Sequence, residues 1–306
     1  MFSKLTIALF TLTISTSALA AKPGTVTAEK KENQLVIKID GKPFAVYQAN
    51  FDGKLPKPFF FPVHGPGGAI LTRPIERKGD DHPHHKGIWV AVDEVNGVRF
   101  WAEKGKIVTK KMSVSAPSKD GSLEFQVTNA WQNANGKTEV FENTKIRIYP
   151  NRLLTYDIEF SHPKHSVVFE DTKEGIFGFR MVNSMRESEG GHVVSSSGAK
   201  GTKACWGKPA KWIDYYGNVD GKTYGVAIFD HPKNLRPSRY HVRNYGLFSI
   251  SPFGEKAYTR GKNPAKPVHL EPGQKLRLRY AMYIHAGDTK AAKVADVYQQ
   301  YLKVSK

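Results

Sequence analysis

The sequence predicts an all-β protein: two large antiparallel sheets stacked face to face, with one C-terminal helix. Three observations carry this. Apolar and polar residues alternate through most of the chain, with turn signals about every eight to twelve residues. A helical period of apolar residues appears only near the C-terminus. No unit of about 20 to 50 residues recurs, which argues against a propeller or solenoid and leaves stacked sheets as the way to bury so many strands.

Alternation begins at Thr25. Strands are expected over residues 34–40 and 43–48, with Gly41-Lys42 as the turn between them, and over 87–92, the run GIWVAV. Further strands are expected over 107–116, 123–131 and 140–149, where Asn135-Gly136 is a hairpin signal. A Pro150-Asn151 turn leads to 153–160, followed by 167–170, 176–183, 212–216, 224–230, 246–251 and 275–285. Asp288 is placed to cap the terminal helix, whose apolar face is Ala291, Val294, Val297, Tyr298, Tyr301 and Leu302.

The chain has 306 residues, 40% of them hydrophobic, which is ample for a buried core. Residues 1–20 read as a secretory signal: Lys4 is the charged start, residues 7–14 are a short apolar run, and Ala18-Leu19-Ala20 is a small-residue cleavage site. Residues 21–306 are then expected to form one exported domain, periplasmic or secreted, because no later stretch approaches ~20 apolar residues. Cys205 is the single cysteine, so no intrachain disulfide can form, and it reads as a buried thiol beside Trp206. The net charge is +18. Such a surface attracts nucleic acid, anionic membranes or acidic polymers. No nucleic-acid motif is present and the expected location lies outside the cytoplasm, so a carbohydrate, and an anionic glycan in particular, is the favoured partner. The alternative is that scattered lysines serve only solubility.

Chemistry-bearing residues gather in three stretches. The first, residues 57–101, carries His64, Arg73, Asp80, Asp81, His82, His84 and His85 among glycines and prolines. In an extended chain side chains two apart share a face, so His82 and His84 are expected to converge and His85 to point away. Imidazoles here suit acid–base catalysis, a metal site with a carboxylate, or a hydrogen-bonded structural cluster. The second stretch, residues 171–180, places Glu174 just before an apolar strand, where it could act as a base; Gly175 and Gly178 permit close backbone approach to a ligand. Arg180 lies inside that strand and needs a partner, for which Glu174 is the candidate. The third, residues 230–243, repeats Asp-His-Pro and carries His231, Arg236, Arg239, His241 and Arg243, with Trp206, Trp212, Tyr215 and Tyr240 available to stack on sugar faces. There is no P-loop, Gly-x-Ser-x-Gly elbow or His-Glu-x-x-His helix, and Ala21 is not the histidine an amino-terminal copper site requires. No cofactor and no metal is expected.

The runs FFFPVHGPGGAILTRP, DHPHHKGIW, VNGVRFW, EGIFGFR and GVAIFDHPKNLRPSRYHVRNYGLFSISPFG resemble an exported bacterial family often labelled methane oxygenase PmoA. Tyr240 departs from the pattern, which has tryptophan before the histidine equivalent to His241. The label fits poorly, since a membrane oxygenase subunit is a bundle of transmembrane helices. The family is also distantly similar to the galactose-mutarotase-like β-supersandwich. That resemblance implies a concave sugar site in which His84 or His85 protonates the ring oxygen while Glu174 takes the anomeric proton. The expected catalytic set is His84, His85, Glu174 and His241. The expected sugar contacts are His64, Arg73, His82, Arg180, His231, Arg236, Arg243 and Trp206. The leading expectation is a carbohydrate-active enzyme of isomerase, lyase or hydrolase type. A non-catalytic glycan-binding protein and a metal-dependent oxygenase or hydrolase are the alternatives.

Overall fold

A computed structural model describes residues 24–75 and 81–305. The expected signal segment and Asp80 lie outside the described residues. The chain is built from β-strands in three sheets, with one longer helix, Val294–Val304, at its end.

The first eight-stranded sheet runs, in spatial order, Val26–Lys31, Gln34–Ile39, Lys42–Gln48, Phe59–Val63, Ile88–Val90, Phe177–Arg180, Leu247–Ser251 and Arg239–Val242. The second runs His192–Ser195, Trp212–Val219, Lys222–Asp230, Lys275–Ala286, Leu153–Ser161, Thr138–Ile148, Leu123–Gln132 and Lys106–Val114. All the pairings are antiparallel, and the two inner faces meet through aromatic rings: Tyr47 on Phe125 at 5.3 Å, Tyr156 on Phe177 at 4.4 Å and Phe177 near Tyr280 at 6.0 Å. This confirms the expected pair of stacked sheets. A small third sheet of Val268–Leu270, Val167–Phe169, Glu94–Val95 and Val98–Arg99 was not expected. Its strands are too short to show a period of two.

The terminal helix covers the outer face of the second sheet. Val294, Tyr298 and Tyr301 pack against Leu153, Ala227, Phe229 and Ala281. Asp288 caps the turn before the helix rather than the helix itself, accepting the Lys290 and Ala291 N–H groups at 3.0 and 2.8 Å. Lys293, at φ +50°, separates that turn from the helix.

Candidate functional site

The site lies on the outer face of the first sheet, and the run Phe177-Gly178-Phe179-Arg180 shows why. Successive strand residues point to opposite faces. Phe177 and Phe179 enter the core, so Gly178 and Arg180 face outward. Register then aligns Trp89, Gly178, Ser249 and His241 in one row across three strand pairs. The row is buried and polar. A Cβ on Gly178 would lie 2.8 Å from the Trp89 ring, so the indole fills the space that the missing side chain leaves. The close approach at Gly178 is therefore made by Trp89 and not by a ligand.

Over this floor stands a column of parallel rings. Tyr245 stacks on His82 at 5.0 Å, His82 on His85 at 4.9 Å, and His85 on Trp89 at 5.5 Å, with interplanar angles of 8°, 7° and 16°. His84 meets the edge of both other imidazoles. The expected convergence of His82 and His84 is found, but His85 joins them instead of pointing away. The segment is not extended: His82 adopts φ +51° and the His85 N–H donates to the His82 carbonyl at 3.0 Å. A left-handed L-residue costs on the order of 1 kcal/mol, and here it closes the turn that folds one imidazole over the other.

Asp81 holds the column. One carboxylate oxygen accepts from Arg73 Nη1 at 3.1 Å and Arg180 Nη2 at 3.0 Å; the other bonds His82 Nδ1 at 3.2 Å. A carboxylate only accepts, so in the neutral ring the His82 Nδ1 carries the proton and Nε2 presents its lone pair. Burial raises the Asp81 pKa, but the Arg180 charge, the His82 bond and Arg73 outweigh it and hold the carboxyl below its ordinary value. Arg180 is itself drawn down to about 10, first by burial and then by the Arg73 charge. The partner of Arg180 is thus Asp81, and the expected Glu174 pairing is not made. Glu174 instead takes Lys173 Nζ at 2.5 Å.

Behind the column, Glu103 accepts from Lys57 Nζ at 2.5 Å and Lys86 Nζ at 2.8 Å, and Lys57 also donates to the His84 carbonyl at 2.9 Å. Burial brings the Lys57 amine down to about 8. Burial and then the Lys57 charge bring His84 down to about 4. His85 falls further, again first by burial. His84 and His85 are consequently neutral at pH 7. His85 is packed between two rings, and its buried Nδ1 has no partner among the described residues. His84 is half-buried.

The third wall comes from the Arg239–Val242 strand and the turn after it. His241 Nδ1 lies 3.3 Å from the Lys173 carbonyl, which can only accept, so Nδ1 is the protonated nitrogen. Its Nε2 then accepts from Arg243 Nε at 3.0 Å. Burial and the Arg243 charge lower His241 to about 3. Both ring nitrogens of His241, expected as a catalytic imidazole, are bonded within the protein, one of them to Arg243. Arg243 lies over the Trp206 ring at 5.6 Å. Tyr240, where the sequence pattern has tryptophan, faces the core and donates to the Ile228 carbonyl at 2.9 Å, so the departure does not touch this wall. Tyr245 joins the walls. Burial raises its hydroxyl pKa, and the charges acting on it come from Arg243, Arg180, Asp81 and Glu174.

Three expected sugar contacts lie apart from this cluster. His231 packs edge-on against Tyr301 of the terminal helix, and its Nδ1 accepts the Lys233 N–H. In the second Asp-His-Pro the Asp230 carboxylate accepts from Ser238 and Asn234 and closes the loop that contains His231. Arg236 donates to the Lys266 carbonyl, and His64 bonds the Gly68 carbonyl in its own turn. Sequence reading missed Tyr245, Lys57, Glu103 and the Trp89–Trp101 pair, whose rings lie 5.0 Å apart. The run of aromatics around His85 was the available signal.

Among the described residues no group of three or more His, Cys, Asp or Glu side chains is arranged to hold a metal ion, and no helix is long and apolar enough to cross a membrane. Cys205 is buried, and burial pushes its thiol up to about 11.

Solved structures similar to this chain include galactose 1-epimerase from Lactobacillus acidophilus NCFM, at 8% identity and TM-score 0.44, with 87% of this chain and 99% of that chain covered. The GalM/aldose epimerase homologue from C. elegans aligns at 8% identity and TM-score 0.38, covering 87% and 100%. GH36 alpha-galactosidase AgaA from Geobacillus stearothermophilus aligns at 8% identity and TM-score 0.42, covering 86% of this chain and 41% of that one. No curated protein matches the sequence. One family model does match, over residues 34–299, and it carries no oxygenase label. The chain therefore belongs to that family, the family of unknown function DUF6807.

Proposed function

We propose that the chain is a carbohydrate-active protein that performs acid–base chemistry on a sugar, with His82 as the proton carrier and Glu174 as the carboxylate on the other side of the ligand. The observation that carries this is the Asp81–His82 pair. Asp81 fixes the ring by its Nδ1, Tyr245 and His85 clamp its two faces, and the ring remains 41% exposed, so Nε2 can reach a ligand. That combination of orientation and access is what a general acid–base residue requires. His85 and His241 lack it, for one is packed and the other is bonded at both nitrogens. His84 is neutral at pH 7 and contributes as a hydrogen-bonding group to the sugar. The half-buried rings of Trp206 and Tyr245 offer apolar surface to the C–H face of a pyranose, while Arg243 and Glu174 reach its hydroxyls. The protein is read as exported, on the sequence of residues 1–20.

The reaction is of isomerase, lyase or hydrolase type. The test is a panel of mono- and oligosaccharides incubated with the protein and with His82→Gln, followed by mass spectrometry and anomer-resolved NMR. Turnover by the wild type that falls at least ~100-fold in His82→Gln supports the reading. Ligand binding with no product from either protein supports the second reading, a glycan-binding protein, which the internal use of His241 and His85 favours.

A further inference from the structure

We infer that the sugar this site takes carries a carboxylate, as a hexuronate does, and that Arg180, Arg186 and Arg243 read that group. The inference rests on the sugar reading above and adds the chemical class of the ligand.

Among the described residues, cations outnumber their counterions on this wall. Arg180 is completely buried, yet only its Nη2 is bonded; Nε and Nη1 have no partner among the described residues. Its one carboxylate contact is an oxygen it shares with Arg73. Its guanidinium lies 4.9 Å over the Tyr245 ring. Arg243 spends Nε on a neutral imidazole and makes no ion pair among the described residues. Arg186 also makes none, and its Nε is buried without a partner. Arg186 packs against the turn that carries Tyr245, since a Cβ on Gly246 would lie 3.2 Å from its Cγ. The same turn is tied to the Arg186 segment through Tyr215, whose hydroxyl accepts the Glu187 N–H at 2.6 Å and donates toward the Arg243 and Asn244 carbonyls. Arg180 thus lies over the Tyr245 ring, Arg243 over the Trp206 ring, and Arg186 packs by its Cγ against Gly246, next to Tyr245. Among the described residues the acids beside them are Asp81, already shared, Glu174, already paired with Lys173, and Glu187, whose carboxylate accepts from the Thr202 N–H and hydroxyl.

A buried guanidinium with unbonded N–H groups is costly unless an acceptor arrives. The planar fork of arginine matches a planar carboxylate with two parallel hydrogen bonds, which suits a uronate better than a hydroxyl. A neutral sugar would leave the surplus charge uncompensated. A sulfate ester would also supply negative charge, but as a tetrahedral group that does not lie in the plane of one fork.

The experiment is calorimetric titration of the full chain with gluco-, galacto- and mannuronate di- and trisaccharides. Each is paired with its carboxyl-reduced neutral counterpart and with a sulfated oligosaccharide of equal charge. The expected result is at least tenfold tighter binding of one uronate series than of its reduced counterpart, weakening as NaCl is raised. Arg186→Gln should lose about tenfold toward the uronate and little toward the neutral sugar, with an unchanged thermal midpoint as evidence of folding. Equal affinity for a uronate and its reduced form overturns the inference and leaves the sugar reading standing. Tighter binding of the sulfated sugar overturns the carboxylate assignment. Binding of neither acidic nor neutral sugar overturns both. The comparison of matched ligands on the unaltered protein decides the matter even if Arg186→Gln does not fold.

Discussion

The Asp81 carboxylate bonds the Nδ1 of His82 at 3.2 Å, and this contact sets the direction in which the imidazole presents its other nitrogen. The same carboxylate pairs with the buried guanidinium of Arg180. One side chain thus links the charge balance of the buried floor to the orientation of the exposed ring.

Asp81→Ala removes the shared counterion. Arg180 is left buried without a carboxylate, which costs roughly 3–5 kcal/mol for a fully enclosed pair. Asp81 is 49% exposed, so solvent screens part of this and about 2 kcal/mol is expected, read from the urea midpoint. Asp81→Asn should restore part of the stability but not the orientation of His82, so turnover should stay low.

Gly178→Ala drives a methyl group into the Trp89 ring, 2.8 Å from the nearest atom. Overpacking of this kind costs about 1–3 kcal/mol. His85 stacks on Trp89, so the displacement propagates up the ring column, and tryptophan fluorescence should change along with thermal stability.

His241 gives a pH dependence with a defined sign. Its folded pKa is lowered from 6.5 to about 3, so the unfolded chain binds the proton first as pH falls. Stability from this group is complete above pH 6.5 and is lost progressively as pH drops toward 3. His84, lowered to about 4, acts in the same direction over a narrower window. Denaturation from pH 7 to pH 4 should show a decline, to which His241 contributes on the order of 3 kcal/mol. The decline should be shallower in His241→Gln.

His231→Ala and Arg236→Ala should leave sugar binding within about twofold of wild type. His231→Ala should lower the thermal midpoint by a few degrees, because its ring packs on Tyr301. Glycan titration beside thermal unfolding separates the two effects.

The strands were legible because alternation is a local signal. The 153–160 expectation, for example, became Leu153–Ser161 and that of 123–131 became Leu123–Gln132. The strands that escaped notice, such as His192–Ser195 and Val268–Leu270, are short, and their pairing is decided by distant neighbours. That several of these side chains gather into one cluster was legible in the crowding of histidine, arginine and glycine. Its wiring was not. The left-handed turn at His82 reversed the expected direction of His85, and the partner of Arg180 came from 99 residues away rather than from the nearby Glu174. Two identical Asp-His-Pro tripeptides took different roles, because one aspartate meets guanidiniums and the other meets backbone and amide donors. Tyr245 gave no periodic or motif signal, and its place between Arg180 and His82 exists only once two sheet-end turns meet.

The most direct test of the central claim is the pH–rate profile of turnover on a sugar from the screened panel, measured for the wild type, His82→Gln and Asp81→Asn. The account predicts a fall in kcat of at least ~100-fold in His82→Gln with KM changed far less, and a smaller fall in kcat in Asp81→Asn. Product formed at an undiminished kcat by His82→Gln would contradict it.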